Sequence, residues 1–138
     1  MLIGDYNFVC TCYACPEQYD VFDKDGNQVG YVRLRWGSLY AECPDVGGTE
    51  VYSCGFGDSW AGCFKNDEQR MVHLRRIAER ISLHNQSVYC PYCGEEHHLD
   101  VWSLDDLVRV ETREIECGGC REDFVVRINS DRKLFAEA

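Results

Sequence analysis

The chain has 138 residues, 45% of them hydrophobic and 28% charged, which is typical of a folded protein with one ordinary core or two small ones. Its 24 acidic and 14 basic residues give a formal net charge of -10, which argues against nonspecific binding to nucleic-acid phosphates. The apolar runs are too short to span a bilayer and no secretory signal is visible, so we expect a cytoplasmic protein without a membrane partner.

The first predicted elements form an antiparallel β-meander over residues 15–54. Asp25-Gly26 stands between two alternating segments, which is a strong hairpin signal. Gly37-Ser38 predicts a second two-residue turn, in which Gly37 takes a positive φ. In that register Trp36 lies opposite Leu39, and the sheet has one apolar face and one polar face.

The polar face of this sheet is the candidate binding surface of the N-terminal part. Arg and Tyr side chains on a sheet can stack on nucleic-acid bases or bind a partner's carboxylates. The alternative is that they satisfy one another as cross-strand neighbours, as Arg33 and Glu42 would in the predicted register. The residues of this surface are Tyr31, Arg33, Arg35, Tyr40 and Tyr52.

One long helix is predicted at about residues 67–84, where it covers the apolar face of the sheet. Asn66 or Asp67 can cap its first turn. We expect His73 and His84 on its solvent side or at its margins, and the helix arginines on its solvent side. The apolar residues that recur at helical spacing are Met71, Leu74, Ile77, Ala78 and Ile81.

The strongest motif lies in the C-terminal part, where two CxxC pairs are separated by 23 residues. Each pair can direct two sulfurs at one ion, and together they complete a closed tetrahedral site for a structural zinc. The alternative is a pair of redox dithiols. His97 and His98 are interpreted as strand residues, since four cysteines fill the tetrahedron. The four ligands are Cys90, Cys93, Cys117 and Cys120.

Short strands are predicted around these pairs, ending in a hairpin whose two strands flank the sequence NSDR. Ser103 with Asp106 three residues later predicts a capped helical turn between the pairs. Residues 88–128 resemble the zinc-ribbon family, and more narrowly the small CPYCG ribbons of uncharacterised bacterial and phage proteins. The resemblance implies a β-rich fold and a zinc ion, and it implies little about function.

Four of the remaining six cysteines predict a second metal-binding set. In a meander, the start of the first strand and the end of the fourth strand lie at the same end of the sheet, and the glycine-rich loop 54–63 begins there. The alternative is that these thiols pack as small apolar side chains, as Cys10 is expected to do. One zinc is therefore expected, or two if this set also binds. Its members are Cys12, Cys15, Cys54 and Cys63.

The sequence predicts an α+β protein in two parts. Residues 1–85 form an antiparallel meander with one packed helix, and residues 86–138 form a small β-rich zinc ribbon. No phosphate-binding loop, HExxH motif or nucleophile elbow is present, so we expect no enzyme activity. We expect a small acidic interaction protein that binds another protein, one form of which is a phage-type modulator or inhibitor of a host or defence protein. The alternative is a nucleic-acid-binding ribbon that assists transcription or replication, which the charge disfavours.

Overall fold

A computed structural model describes residues 1–12, 16–57 and 62–138. The chain divides into two compact units, Met1–Ile81 and Ser82–Ala138. Antiparallel strands dominate both units, and the described ranges also contain two helices, which confirms the α+β class and the predicted meander. Within these ranges, no helix is long and apolar enough to cross a membrane.

The first unit is built on a six-stranded antiparallel sheet in which each strand pairs with the next one in the chain. Helix α1 (Asp67–His84) follows the sheet, over the range in which the sequence pattern places a helix. The strands are β1 (Leu2–Ile3), β2 (Tyr6–Cys12), β3 (Glu17–Phe22), β4 (Gln28–Arg35), β5 (Ser38–Cys43) and β6 (Thr49–Gly55).

The sheet has two more strands than the sequence pattern predicts, β1 and β2. In β2 the buried Phe8 is followed by Val9, which is 41% exposed. An apolar residue on the solvent side breaks the alternation that identifies a strand, so the pattern of this segment is obscured.

The second hairpin turns at a different pair of residues from the predicted one. Arg35 pairs with Ser38, so the turn is Trp36-Gly37, and both turn residues have positive φ, 54° and 72°. The register therefore differs by two residues from the predicted one. A shift of two keeps every strand residue on its face, but it moves Trp36 out of the core to a turn where it is 60% exposed.

Helix α1 packs on the apolar face of the sheet. Leu74, Ile77 and Ile81 are fully buried. Gly30 on β4 makes the close approach possible, because a Cβ built there would lie 2.8 Å from Cδ1 of Ile81. The predicted apolar stripe is thus the packing face of the helix.

The prediction that the helix histidines and arginines face solvent is wrong for three of them. His73 is buried, and its Nδ1 lies 2.9 Å from the Tyr52 hydroxyl. Arg80 is also buried and donates a hydrogen bond to the Val51 carbonyl. His84, buried in the second unit, has Nδ1 2.6 Å from the Leu99 carbonyl oxygen. Each of these polar groups is buried together with a hydrogen-bond partner. The periodicity of the helix does not show such partners, so it cannot predict that these side chains are buried.

The second unit contains a two-stranded and a three-stranded antiparallel sheet. The three-stranded sheet has the order β11-β10-β9, so the predicted terminal hairpin is present. The elements are β7 (Val88–Tyr89), β8 (Glu96–His97), α2 (Val101–Val110), β9 (Thr112–Glu116), β10 (Asp123–Ile128) and β11 (Leu134–Glu137).

Helix α2 replaces the short turn that was predicted at Ser103, and its cap is a different residue. The Asp100 carboxylate accepts a hydrogen bond from the Ser103 backbone N–H at 3.0 Å, so Asp100 is the N-cap and Ser103 lies inside the helix. At the other end Glu111 has φ of 66°, and its N–H donates to the Leu107 carbonyl.

Candidate metal centre

The two CxxC segments form two loops with the same backbone hydrogen bonds. In the first loop the N–H of Gly94 donates to the Cys90 carbonyl at 2.9 Å, and in the second the N–H of Arg121 donates to the Cys117 carbonyl at 2.8 Å. Gly94 and Arg121 occupy equivalent positions and both have positive φ, 81° and 64°. Each loop therefore turns tightly after its second cysteine, which brings its two sulfurs to one side.

The four sulfurs of these loops lie together and form what we call the four-thiol centre. The Sγ atoms of Cys90 and Cys120 are 3.7 Å apart, those of Cys93 and Cys117 are 3.5 Å apart, and all four lie within 4.8 Å of one another. In a tetrahedral zinc site with Zn–S bonds of about 2.3 Å, the sulfurs are about 3.8 Å apart. These two pairs already approximate edges of such a tetrahedron, so the four-thiol centre can hold a metal ion and is compatible with zinc.

The centre has a buried side and a solvent side. Cys90 and Cys117 are 3% and 0% exposed, while Cys93 is exposed. Burial raises the pKa of Cys90, but hydrogen bonds from the backbone N–H groups of Cys93 and Tyr92 lower it by a larger amount. The resulting pKa is about 7, below the ordinary value of 9. The N–H of Tyr92 lies 3.4 Å from the Cys90 sulfur. Donors that point at sulfur favour the thiolate, which is the form that binds a metal ion.

Glu95 connects the two loops, and the sequence analysis did not identify it. Its carboxylate accepts hydrogen bonds from the Cys117 thiol at 3.0 Å and from the Gly119 N–H at 2.8 Å. The bond from Cys117 raises the pKa of that thiol to about 12. Gly119 leaves room for the carboxylate, because a Cβ there would lie 2.7 Å from the Glu95 oxygen. The Gly-Gly of the second CxxC was the one sequence signal of this contact.

No family model, curated protein or solved structure matches the chain. The four-thiol centre is therefore described from its own geometry. The donor set itself is informative, since thiolate ligands in tetrahedral groups of four select zinc and iron–sulfur chemistry over the oxygen-seeking cations.

The second predicted metal set does not come together among the residues that the structure describes. Cys12 is on β2 and Cys54 on β6, with three strands between them in the sheet. Cys63 is disulfide-bonded, so its sulfur is not a free thiolate. No metal-compatible group in the described ranges includes any of these three. Cys15 lies outside the described residues.

The polar sheet face contains four of its five predicted residues. Tyr52 is the exception, because it pairs with Ala41 and its side chain lies on the helix-covered face. Tyr31 is buried, and its hydroxyl donates to Gln18. A hydrogen bond to Tyr40 raises the pKa of Arg33 above its ordinary value. These contacts favour the alternative interpretation, in which the side chains satisfy one another, but Arg33 lies opposite Tyr40 and not opposite the predicted Glu42.

Arg35 and Trp36 form the exposed end of that face. The Arg35 guanidinium lies 5.2 Å from the centroid of the Trp36 ring. Both residues are exposed at the hairpin tip. Of the five predicted surface residues, Arg35 is therefore the exposed one, while Arg33 and Tyr40 are half-buried.

A separate open pocket of about 530 Å³ lies beside β2 and β3. Its best-defined polar group is Glu17, which is 7% exposed and accepts hydrogen bonds from the Arg70 guanidinium at 2.7 and 3.1 Å and from the Tyr19 hydroxyl. Burial raises the pKa of Glu17, but Arg70 and Tyr19 outweigh it, so the pKa lies below its ordinary value. The carboxylate is fully used within the fold, and we assign it a structural role.

Proposed function

We propose that this chain is a non-catalytic, zinc-stabilised acidic protein that acts by binding another protein. The observation that carries the proposal is the closeness of the four sulfurs of the four-thiol centre, which are available as the corners of one tetrahedron. A zinc ion with four protein thiolates has no open position for a substrate or an activated water. Such an ion stabilises a fold, and the zinc ribbon that residues 88–128 resemble is the corresponding structure.

Exposed aromatic residues of the second unit support a binding role. Tyr89 and Tyr92 lie on either side of the ligand Cys90 in the chain and are 57% and 52% exposed, and Trp102 on α2 is 71% exposed. Tyrosine and tryptophan are enriched among the residues that contribute most to protein interfaces, because they bury a large area with few rotatable bonds.

The charge of the second unit favours a basic protein partner. Ser82–Ala138 contains 12 acidic and 6 basic residues, a balance of -6. A zinc ion with four thiolates adds -2 to an acidic surface that already repels phosphate. By analogy with the phage ribbons that it resembles, the chain is a modulator or inhibitor of a host or defence protein.

The test is a pull-down of the zinc-loaded chain from lysate of its native host, with identification by mass spectrometry and then direct affinity measurement with the purified partner. We expect Trp102→Ala to weaken binding about tenfold or more, as interface anchors do. Leu2→Ala, which truncates a 78% exposed apolar residue of the first unit outside the Arg35–Trp36 tip, is the control. With one equivalent of zinc bound, X-ray absorption that shows fewer than four sulfur ligands would contradict the non-catalytic assignment.

Nucleic-acid binding is the competing outcome, and salt distinguishes the two. Affinity for DNA or RNA that falls steeply between about 50 and 200 mM salt, on the order of 10³-fold, would indicate release of counterions from phosphate. Retention on heparin together with such a slope would overturn the protein-binding proposal.

A further inference from the structure

One buried nitrogen beside the four-thiol centre has no hydrogen-bond partner among the described residues. It is Nε2 of His97, on β8. Buried imidazole nitrogens normally bond to a donor, an acceptor or a metal ion, since an unsatisfied polar atom costs about 1–3 kcal/mol. The His97 ring is held in place against Phe124, with the ring centroids 5.5 Å apart.

The groups nearest to this nitrogen are metal ligands by chemistry. Nε2 of His97 lies 3.7 Å from Oε2 of Glu95, and that oxygen lies 3.0 Å from Sγ of Cys117. One ligand atom of each of the three residues lies within 4.8 Å of the other two. Around a tetrahedral zinc ion, nitrogen, oxygen and sulfur ligands are about 3.3–3.6 Å apart. The two separations of 3.7 and 3.0 Å lie on either side of this range, so a small adjustment of the side chains gives one face of a coordination tetrahedron.

Charge favours a cation at this position. When the four-thiol centre is loaded, Cys117 is a thiolate, and the carboxylate of Glu95 then lies in contact with a second negative charge. The Gly119 N–H holds Glu95 there at 2.8 Å. A cation between the two anions replaces their repulsion with two attractive contacts, and it supplies the missing partner of His97.

We propose that Glu95, His97 and Cys117 form a second metal position, which shares the Cys117 sulfur with the four-thiol centre. It takes a zinc-class divalent cation through one nitrogen, one oxygen and one bridging thiolate, with water completing the shell on the side where Glu95 is exposed. With three protein ligands, one of them shared, it binds more weakly than the four-thiol centre. The proposal rests on that centre holding its own ion, and we assign no reaction to it.

The test is a titration of the full metal-free chain with Co²⁺, followed by displacement with Zn²⁺. The first equivalent produces the intense sulfur-to-cobalt charge transfer of a four-thiolate site. We expect a second, weaker equivalent in the wild-type chain that changes this spectrum, because it shares a sulfur with the first ion. Glu95→Gln and His97→Gln should each weaken the second equivalent about tenfold or more, and His97→Gln, which leaves the four sulfurs and the Glu95 contact in place, should keep the first equivalent within about threefold.

The chain supplies matched controls one residue further along. Glu96 and His98 are the same residue types, but Glu96 accepts a hydrogen bond from Ser87, and His98 Nε2 contacts Glu96 at 3.0 Å. Glu96→Gln and His98→Gln should bind both equivalents with wild-type affinity, which excludes general attraction by an acidic surface.

Two results would overturn the proposal. One is a wild-type chain that binds a first equivalent with the four-thiolate spectrum and no second one. The other is a second equivalent that survives both Glu95→Gln and His97→Gln unchanged. Failure of the first equivalent would overturn the zinc-stabilised function as well, so the titration separates failure of this position from failure of the four-thiol centre.

Discussion

At the scale of single residues, cysteine takes three roles in this chain. Cys117 is buried in the four-thiol centre, Cys43 is buried where burial raises the pKa of its thiol to about 12, and Cys63 is disulfide-bonded. The paired CxxC spacing identifies the first role from the sequence, since two sulfurs in one tight loop point the same way. No local spacing distinguishes the other two, because burial and disulfide pairing depend on contacts between residues that are distant in the sequence.

Replacing Cys117 and replacing Cys43 should therefore have different effects. Cys117→Ser removes one of four ligands from a site whose occupancy contributes on the order of 10 kcal/mol to folding, so we expect the zinc content to fall and the second unit to unfold. Metal analysis and circular dichroism measure the two effects. Cys43→Ser should keep the zinc of the four-thiol centre and lose only packing energy. Equal zinc loss in both variants would contradict the assignment.

The Glu17–Arg70 ion pair predicts an acid-dependent stability of the first unit. The folded pKa of Glu17 lies below its ordinary value of 4.5, so its stabilisation is fully present above that value and is lost as the pH falls through the folded pKa. Glu17→Gln should cost about 1–3 kcal/mol at neutral pH, because Arg70 loses its buried partner and keeps only the exposed Asp67.

Urea denaturation from neutral pH down to about pH 3 checks this expectation. The variant should lose less stability than the wild-type chain as the pH falls below 4.5, since the titrating group is gone. The exposed Glu50 provides the control, and Glu50→Gln should change stability by less than about 0.5 kcal/mol. A wild-type pH slope in Glu17→Gln would refute the role of this pair.

At the scale of elements, strong periodicity is informative and exact boundaries are not. Helix α1 follows from its apolar stripe, and the meander follows from the Asp-Gly hairpin and the alternation of β4 and β5. Strand β2 escapes prediction because Val9 interrupts its alternation. The Trp36-Gly37 turn is predicted one residue late, because a bulky aromatic residue is rarely found at positive φ and the sequence offers no reason to expect it there.

The cap of α2 is a direct test of the boundary that the structure assigns. Asp100→Ala removes the carboxylate that accepts the Ser103 N–H, and we expect it to destabilise the second unit by about 1 kcal/mol. Ser103→Ala removes only the hydroxyl of the residue that the sequence pattern favours as the cap, so its effect should be smaller. Thermal unfolding of the zinc-loaded chain measures both. The reverse order would restore the sequence-based boundary.

At the scale of the whole molecule, the two units depend on different sources of stability. The first has a helix packed on a six-stranded sheet, with Leu74, Ile77 and Ile81 fully buried. Apart from the four-thiol centre, the second unit has only small sheets and helix α2 of ten residues. Small units of this size usually need a metal ion or disulfides in addition to their core.

Chelation should therefore act on one unit alone. Treatment with a strong zinc chelator is expected to remove hydrogen-exchange protection from residues 88–128 and to leave protection in residues 16–57 unchanged. Peptide-resolved mass spectrometry reads both regions in the same sample, so the first unit serves as the internal control. Loss of protection in both regions together would indicate that the chain unfolds as a single cooperative unit.

The uneven exposure of the four sulfurs has a consequence for the lifetime of the centre under oxidative stress. Peroxide attacks thiolates that solvent reaches, and Cys93 is exposed while Cys117 is 0% exposed. Damage should therefore begin at Cys93, and a time course of sulfenic-acid labelling should detect it there before the other three. The ion would then be released through a defined first lesion, so the exposed corner sets how long the fold survives in an oxidising cell.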